Sequence, residues 1–317
     1  MKATEFKVWL SAISQLNSEQ RKQLQAHILR TPAVLDEALE APKSCPRCAA
    51  QALRPWGTAH GLPRYRCKAC GRTCNALTGT PLSRLRHREK WSEYAQSMLE
   101  SLAVRKAAKR CGVDKNTSFR WRHRFLKWIS EHRDEHVSGV VEADETFFLR
   151  SFKGQRELPR PARKRGGKAK SKGMSDDLVP VLVVRDRSSR HADFQLEKLD
   201  GEHVSEVLKP LIDPDAVLCT DSAAVYHGFA RAQGITHRRS NLRQKRRTDG
   251  AFHIQNVNAY HSRLKRWLYP FHGVATKYLS NYLGWRRLLE RYGNTINPLI
   301  FLRESLGHEA KQHLVQT

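Results

Sequence analysis

Four cysteines and two aspartates carry the chemistry that the sequence offers first. Cys45-Pro-Arg-Cys48 and Cys67-Lys-Ala-Cys70 are two C-x2-C pairs separated by 18 residues. At that spacing two tight turns aim four thiolates at one tetrahedral metal ion, and Zn²⁺ is the metal that such soft ligands select. Four protein ligands leave no position for water, so one structural Zn²⁺ is expected. Cys74 is an alternative fourth ligand, although the x2 spacing favours Cys70. Cys111 and Cys219 fall in helical and strand patterns and are expected to be inert core thiols.

Asp144 interrupts the apolar run Val140-Val-Glu-Ala-Asp-Glu-Thr-Phe-Phe148, and Asp221 ends the run Ala216-Val-Leu-Cys-Thr-Asp221. A carboxylate on a buried strand is costly unless it is paired or binds a cation. Singly, each acid reads as a strand-end or capping residue. As a pair in a very basic chain they point to a shared Mg²⁺. A helical segment over 252–267 could bring a third ligand to the same place. Asn258, His261 and Lys265 fall on one side of it, beside an apolar stripe of Tyr260, Leu264 and Trp267. Asn258 offers a neutral carbonyl oxygen to a hard cation, and Lys265 offers a cation to DNA phosphate. On the residues alone, a capping or solvent-facing role accounts for Asn258 better. Strand alternation turns Glu145 away from Asp144, and His261 suits a hard cation poorly.

These groups need elements to hold them. Apolar spacing over Phe6–Leu16 and a start signal at Ser18 predict a helical pair in a segment 1–40. Cys, Gly, Pro and Arg between aromatic residues predict loops and short strands over 41–82. Helical periodicity returns from Leu85 to Ile129, within a segment 83–135. From 136 to 317 strand candidates (139–149, 179–186, 191–196, 216–221) precede or alternate with helical patterns (201–212, 223–233, 251–268), which predicts a mixed α/β sheet flanked by helices. The stretch 150–173 is a basic insertion: ten of its 24 residues are Lys or Arg (Arg150, Lys153, Arg156, Arg160, Arg163, Lys164, Arg165, Lys168, Lys170, Lys172).

Charge narrows the partner. The 317 residues carry 57 Lys and Arg against 31 Asp and Glu, a net charge of +26, which points to a polyanion, nucleic acid first. No apolar run reaches the roughly 18 residues of a membrane span, so no membrane partner is expected. The N-terminal stretch lacks the apolar core of a secretory signal, and a cytoplasmic setting is expected. Within 83–135, Val104–Cys111, a Gly112-Val113 turn and Asp114–Phe125 have the layout of a helix-turn-helix, with Asp114 as N-cap of the second helix. Asn116, Thr117, Arg120, Arg122 and Arg124 are its candidate DNA contacts, a solvated basic helix being the other reading.

Taken together, the C-x2-C pairs with YRCKAC, Leu77-Thr-Gly-Thr-Pro-Leu82, Trp121-Arg-His-Arg124, ADET, CTDS and HIQNVNAYHSRLK resemble bacterial insertion-sequence transposases of the 1595 family, the zinc-ribbon group related to the ISXO type. The resemblance covers roughly residues 40–290. It implies an RNase H-like core at 136–317 behind the zinc ribbon and helix-turn-helix, with a catalytic set that binds two Mg²⁺ (or Mn²⁺) ions at Asp144, Asp221 and Asn258. Asn258 stands where the wider class has Glu, and His272 is a possible active-site neighbour. The expected activity is cleavage and strand transfer of the element's terminal inverted repeats into target DNA, by a protein that assembles as a homo-oligomer on DNA. The basic run Arg238, Arg239, Arg243, Lys245, Arg246, Arg247 and the 150–173 insertion are expected to neutralise phosphates. A non-catalytic DNA-binding regulator explains the charge but not the two aspartates. A metal nuclease acting on RNA leaves the helix-turn-helix unexplained.

Overall fold

Aromatic residues at helical spacing build the first of two units. The computed structural model describes residues 2–28, 31, 33–163, 167, 169, 175–240 and 250–307, and the chain divides into Met1–Trp128 with Asn294–Thr317, and Ile129–Gly293. The first unit holds α1 (Ala3–Ser14), α2 (Ser18–Ile28), α3 (Ala33–Ala38), α4 (Trp91–Leu99), α5 (Val104–Arg110) and most of α6 (Lys115–Glu131). Trp91 and Tyr94 of α4 meet Trp121 and Phe125 of α6 edge to face, and all four are buried; such pairs add to plain area burial. The start of α6 is as expected, with Asp114 Oδ1 accepting from Asn116 N at 2.8 Å. Gly112, at φ +57, makes the turn before it. The unit also includes a small antiparallel sheet, β1 (Leu53–Ala59), β2 (Leu62–Cys67) and β3 (Thr73–Cys74).

The second unit is a three-layer α/β structure. Its strands are β4 (Val140–Leu149), β5 (Leu178–Asp186), β6 (His191–Gln195), β7 (Val217–Thr220) and β8 (Thr236–Arg239), in the order β6-β5-β4-β7-β8. β4, β5 and β6 pair antiparallel, whereas β7 and β8 run parallel to β4. Parallel neighbours need crossovers, and α7 (Gly201–Leu208) and α8 (Ala224–Gln233) supply them. Both helices pack on one face with Val141, Ala143, Leu182 and Val184. The other face carries α9 (Gln255–Leu268) and α10 (Leu279–Tyr292), packed on Val179, Val181 and Val183. Covered on both faces, β5 is buried along nearly its whole length, which is why it reads as a continuous apolar run. Buried Arg287 of α10 pairs with buried Asp193 of β6 and donates to the terminal carbonyls of α6, including Ile129 O at 3.2 Å.

Three expectations need adjusting. α7 stops at Leu208 and not at 212, because Pro210 has no N–H to continue the helical hydrogen bonds. β8, a short polar edge strand, has no alternation to announce it. The final helix α11 (Pro298–Leu306) follows the α/β region in sequence but packs in the first unit, its Phe301 stacked on Phe125. Lys164, Arg165, Lys168, Lys170 and Lys172 of the basic insertion, and Arg243, Lys245, Arg246 and Arg247 of the second run, lie outside the described residues.

Candidate functional site

The acidic site forms where β7 ends beside its parallel neighbour β4. β4 pairs with β7 only through Val140↔Val217, Val141↔Leu218 and Glu142↔Cys219. β4 then runs on past the end of β7, so Asp144 and Asp221 stand together at the carboxyl ends of the pair, the edge where open α/β sheets place their ligands. Asp221 Oδ1 accepts from Ala223 N at 2.8 Å, a turn that leads into α8. One oxygen each from Asp144, Glu145 and Asp221 lie within 4.8 Å of one another. Burial, then the charges of Glu145 and Asp221, push the Asp144 carboxyl up to about 7. Glu145 is raised too, chiefly by burial. Three carboxylates this close repel unless protons or a cation intervene, and a hard divalent ion with oxygen ligands fits that donor set.

Alternation is obeyed, and Glu145 still joins the group. It points to the α8 face, where Tyr226 Oη donates to its Oε2 at 2.6 Å. Because β7 has already ended, no strand screens Glu145 from Asp221. Asp144 points to the α9 face, in register with Val183. There His261 is buried, its Nδ1 3.7 Å from Asp144 Oδ2. Burial, then the charge of Lys265, lowers the His261 imidazole to about 4, so the two groups adjoin as a neutral ring and an acid and not as an ion pair. Asn258 lies on α9 one turn before His261 and is exposed, as is Lys265 one turn after it.

Glu142 is a residue that sequence reasoning passed over. It is 1% exposed and lies on the same face of β4 as Asp144. α9 begins at Ile254, which has no oxygen to cap the helix. Glu142 supplies it from the sheet: Oε2 accepts from Asn256 N at 2.9 Å and Val257 N at 3.1 Å, and Oε1 accepts from Asn256 Nδ2 at 2.9 Å. Arg187 Nη1 compensates its charge at 2.7 Å. The helix bearing Asn258, His261 and Lys265 is thereby tied to the strand bearing Asp144. The available signal was a second acid two positions before Asp144, on the same face of a buried strand.

The sulfur site is built from two matching turns. Ala49 N donates to Cys45 O, and Gly71 N donates to Cys67 O, with Ala49 and Gly71 both at positive φ. The turns aim backbone N–H groups at the first sulfur of each pair. Those of Arg47 and Cys48 lower the Cys45 thiol to about 6, and that of Cys70 leads the lowering at Cys67. The Sγ separations are 3.7 Å for Cys45–Cys70 and 3.6 Å for Cys48–Cys67. A tetrahedral ion with sulfur at about 2.3 Å needs about 3.8 Å between sulfurs, so the four cysteines fit Zn²⁺. Cys74 is buried and outside this group, its thiol raised chiefly by burial.

The predicted DNA-contacting row on α6 divides. Asn116 and Arg120 are exposed and Thr117 is half-buried, beside exposed Phe119. Arg122 is fully buried and donates to Leu102 O at 2.5 Å, and Arg124 donates to Pro81 O at 2.5 Å and Ser83 O at 2.9 Å. Arg122→Ala is therefore expected to destabilise the protein by about 2–3 kcal/mol, read by urea denaturation. Arg120→Ala is expected to leave stability unchanged and weaken DNA binding by about 1–3 kcal/mol. Equal losses of stability in the two variants would refute the division.

A five-stranded sheet in this order, with helices on both faces and acids where the pairing of its adjacent parallel strands ends, defines an RNase H-like core. The family model described as the ISXO2-like transposase domain matches residues 136–286. The chain is also 28% identical, over 248 residues covering 75% of this chain and 82% of the relative, to an uncharacterized protein in transposable element ISH50 of Halobacterium salinarum. Residues 136–286 are thus similar to the transposase domain of the IS1595 family. No described helix is long and apolar enough to cross a membrane.

Proposed function

We propose that this protein is a DNA transposase that cleaves phosphodiesters at the terminal inverted repeats of its own element and joins the freed 3′ ends to target DNA. The observation that carries this reading is the cluster of Asp144, Glu145 and Asp221 oxygens within 4.8 Å, where β7 ends beside the middle of β4. Asp144 and Asp221 are the principal holders of two divalent cations, Mg²⁺ or Mn²⁺, with Asn258 as the helix-borne oxygen. Such ions, when bound, stabilise charge on the transferring phosphate and make water or a 3′ hydroxyl a better nucleophile.

The other roles belong to the protein. Tyr226 holds Glu145 by its hydroxyl, and Glu142 holds the start of α9 against β4. Lys265, exposed on α9 and close enough to lower the Asp144 carboxyl, pairs with the phosphate backbone. In the first unit, the ribbon over 41–82, with one Zn²⁺ on Cys45, Cys48, Cys67 and Cys70, and the helices over 83–135 hold the DNA ends. Supporting that assignment, a groove of about 1120 Å³ there is lined by Arg47, Arg84, Arg86, Arg88 and Arg124 against the single acid Glu89. On the ribbon, Arg54 and Arg66 face each other across β1 and β2, both guanidinium groups lying over the Trp56 ring. Like charges directly opposite destabilise a sheet, and a phosphate between them removes that cost.

The test is to incubate the full-length protein with DNA carrying the element's ends, a target plasmid and Mg²⁺. Strand-transfer products are expected; DNA that is bound but uncut in both Mg²⁺ and Mn²⁺ would overturn the reading. The same assay separates the third-ligand candidates. Asn258→Ala is expected to lose about 10–100-fold in rate, and Asn258→Asp to lower the Mg²⁺ concentration needed. Glu145→Gln is expected to raise that concentration with a smaller loss at saturation. A wild-type rate in Asn258→Ala with none in Glu145→Gln would assign the third ligand to Glu145.

A further inference from the structure

Beyond the last acid of β4 the second unit opens into a cavity of about 1000 Å³. Its wall continues β4 through Phe147 and Phe148, and Lys265 and Tyr269 of the α9 end stand opposite them. The composition of its lining is selective: among the described residues no Asp or Glu contributes, while Arg150, Lys153, Arg160, Arg163 and Lys265 do, together with the rings of Phe147, Phe148, Phe152 and Tyr269. Arg160 and Arg163 share one carboxylate, Asp177, which offsets one of their two charges. The Lys265 ammonium makes no hydrogen bond to protein among the described residues, and Lys265 lines the cavity close to the acidic cluster.

The walls are fastened to each other. Ser151 N donates to Thr276 Oγ1 at 2.8 Å, and Thr276 N donates to Ser151 O at 2.9 Å. Lys153 Nζ bridges to His272 O at 3.1 Å and Gly273 O at 3.0 Å, at a turn where His272 takes the left-handed conformation, φ +52. That backbone is unfavourable for a non-glycine residue and persists where surrounding contacts impose it. The cavity is thus held open and does not depend on a ligand to shape it. At its edge Tyr269 is 79% exposed, a large ring left to water beside a cationic wall.

Flat apolar faces with surrounding positive charge and no acid match a flat, uncharged ring system attached to phosphate. A nucleobase with its own backbone has that chemistry, and the volume far exceeds that of one ring, so the adjoining sugar and phosphate fit as well. We propose that the cavity receives one unstacked nucleotide of the bound DNA end, beside the phosphodiester presented to Asp144 and Asp221. The identity of that phosphodiester rests on the function proposed above; the occupancy of the cavity does not. Extruding a base costs stacking and pairing energy, and contact with Phe152 and Tyr269 offsets it. In return the backbone next to the extruded base becomes accessible to the acidic cluster.

The experiment places 2-aminopurine singly at each position flanking the cleavage site and reads its fluorescence on binding the full-length protein. One position is expected to brighten as it leaves the stack, and Tyr269→Ala and Phe152→Ala are expected to reduce that rise. Tyr269→Ala is also expected to slow cleavage about tenfold on fully paired ends, and to recover on ends in which that nucleotide is left unpaired, because the extrusion cost is then removed from the substrate. A structural defect would not be rescued by changing the DNA. Cleavage by wild type with no brightening at any position would overturn the inference, as would equal losses for Tyr269→Ala on paired and unpaired ends. Brightening at one position without cleavage in either Mg²⁺ or Mn²⁺ would support the cavity's role and overturn the proposed function alone.

Discussion

Asp144→Asn and Asp221→Asn are each expected to abolish DNA cleavage and strand transfer, by at least about 10³-fold, while binding of the terminal DNA changes little. Each substitution keeps the size of the side chain and removes one negative charge from a group of three. The cluster is then expected to lose its hold on divalent ions, and what remains beside it does not replace them: the His261 imidazole is lowered to about 4, chiefly by burial, and Lys265 offers a single charge and no metal-ligating oxygen. DNA binding survives because it is assigned to the other unit. The folded state survives as well. Burial, then the charges of Glu145 and Asp221, already raises the Asp144 carboxyl to about 7, so neutralising it removes a desolvation cost and some repulsion in the metal-free protein. A slightly higher melting temperature with no cleavage is the combined signature expected for Asp144→Asn. Retention of wild-type strand transfer by either variant would remove the acidic cluster from the mechanism.

Loss of the sulfur-bound metal is the second large effect. One Zn²⁺ per chain is expected by metal analysis of protein purified without added zinc, and Cys45→Ala or Cys67→Ala should bring it near zero. Cys45 and Cys67 are both 1% exposed, and little else holds their module. β1 leaves most of its residues exposed, and β3 has only two residues. A sheet this small cannot offset its conformational entropy by apolar burial. Binding free energy for structural Zn²⁺ is about 10–16 kcal/mol in isolated modules, larger than the whole stability of a typical domain. Chelation should therefore unfold the ribbon, seen as rapid proteolysis within 41–82 and loss of end binding. The Ile129–Gly293 unit has its own two-sided core and should resist the same treatment. A ribbon that stays protected after complete metal removal would refute the account.

What could be read from the chain alone was whatever depends on local spacing. The C-x2-C pairs with their separation announce a four-sulfur site, because two turns of fixed geometry aim the ligands. The apolar runs ending in Asp144 and Asp221 announce strands bearing acids, because period and burial are local properties. Asp114 and Gly112 mark the start of α6 for the same reason. Tertiary structure decided everything that depends on which strand stops where. Alternation correctly turns Glu145 away from Asp144, yet β7 ends at Thr220 while β4 continues, so the Glu145 carboxylate reaches Asp221 past the end of the shorter strand. Glu142 caps a helix more than a hundred residues away, a role that no local pattern encodes. The basic residues of Arg120-Trp-Arg-His-Arg124 read alike in sequence, but the packing of α6 buries Arg122 and leaves Arg120 in solvent. Charge and spacing are properties of a segment; which side chains meet water, metal or each other is set by the elements packed against it.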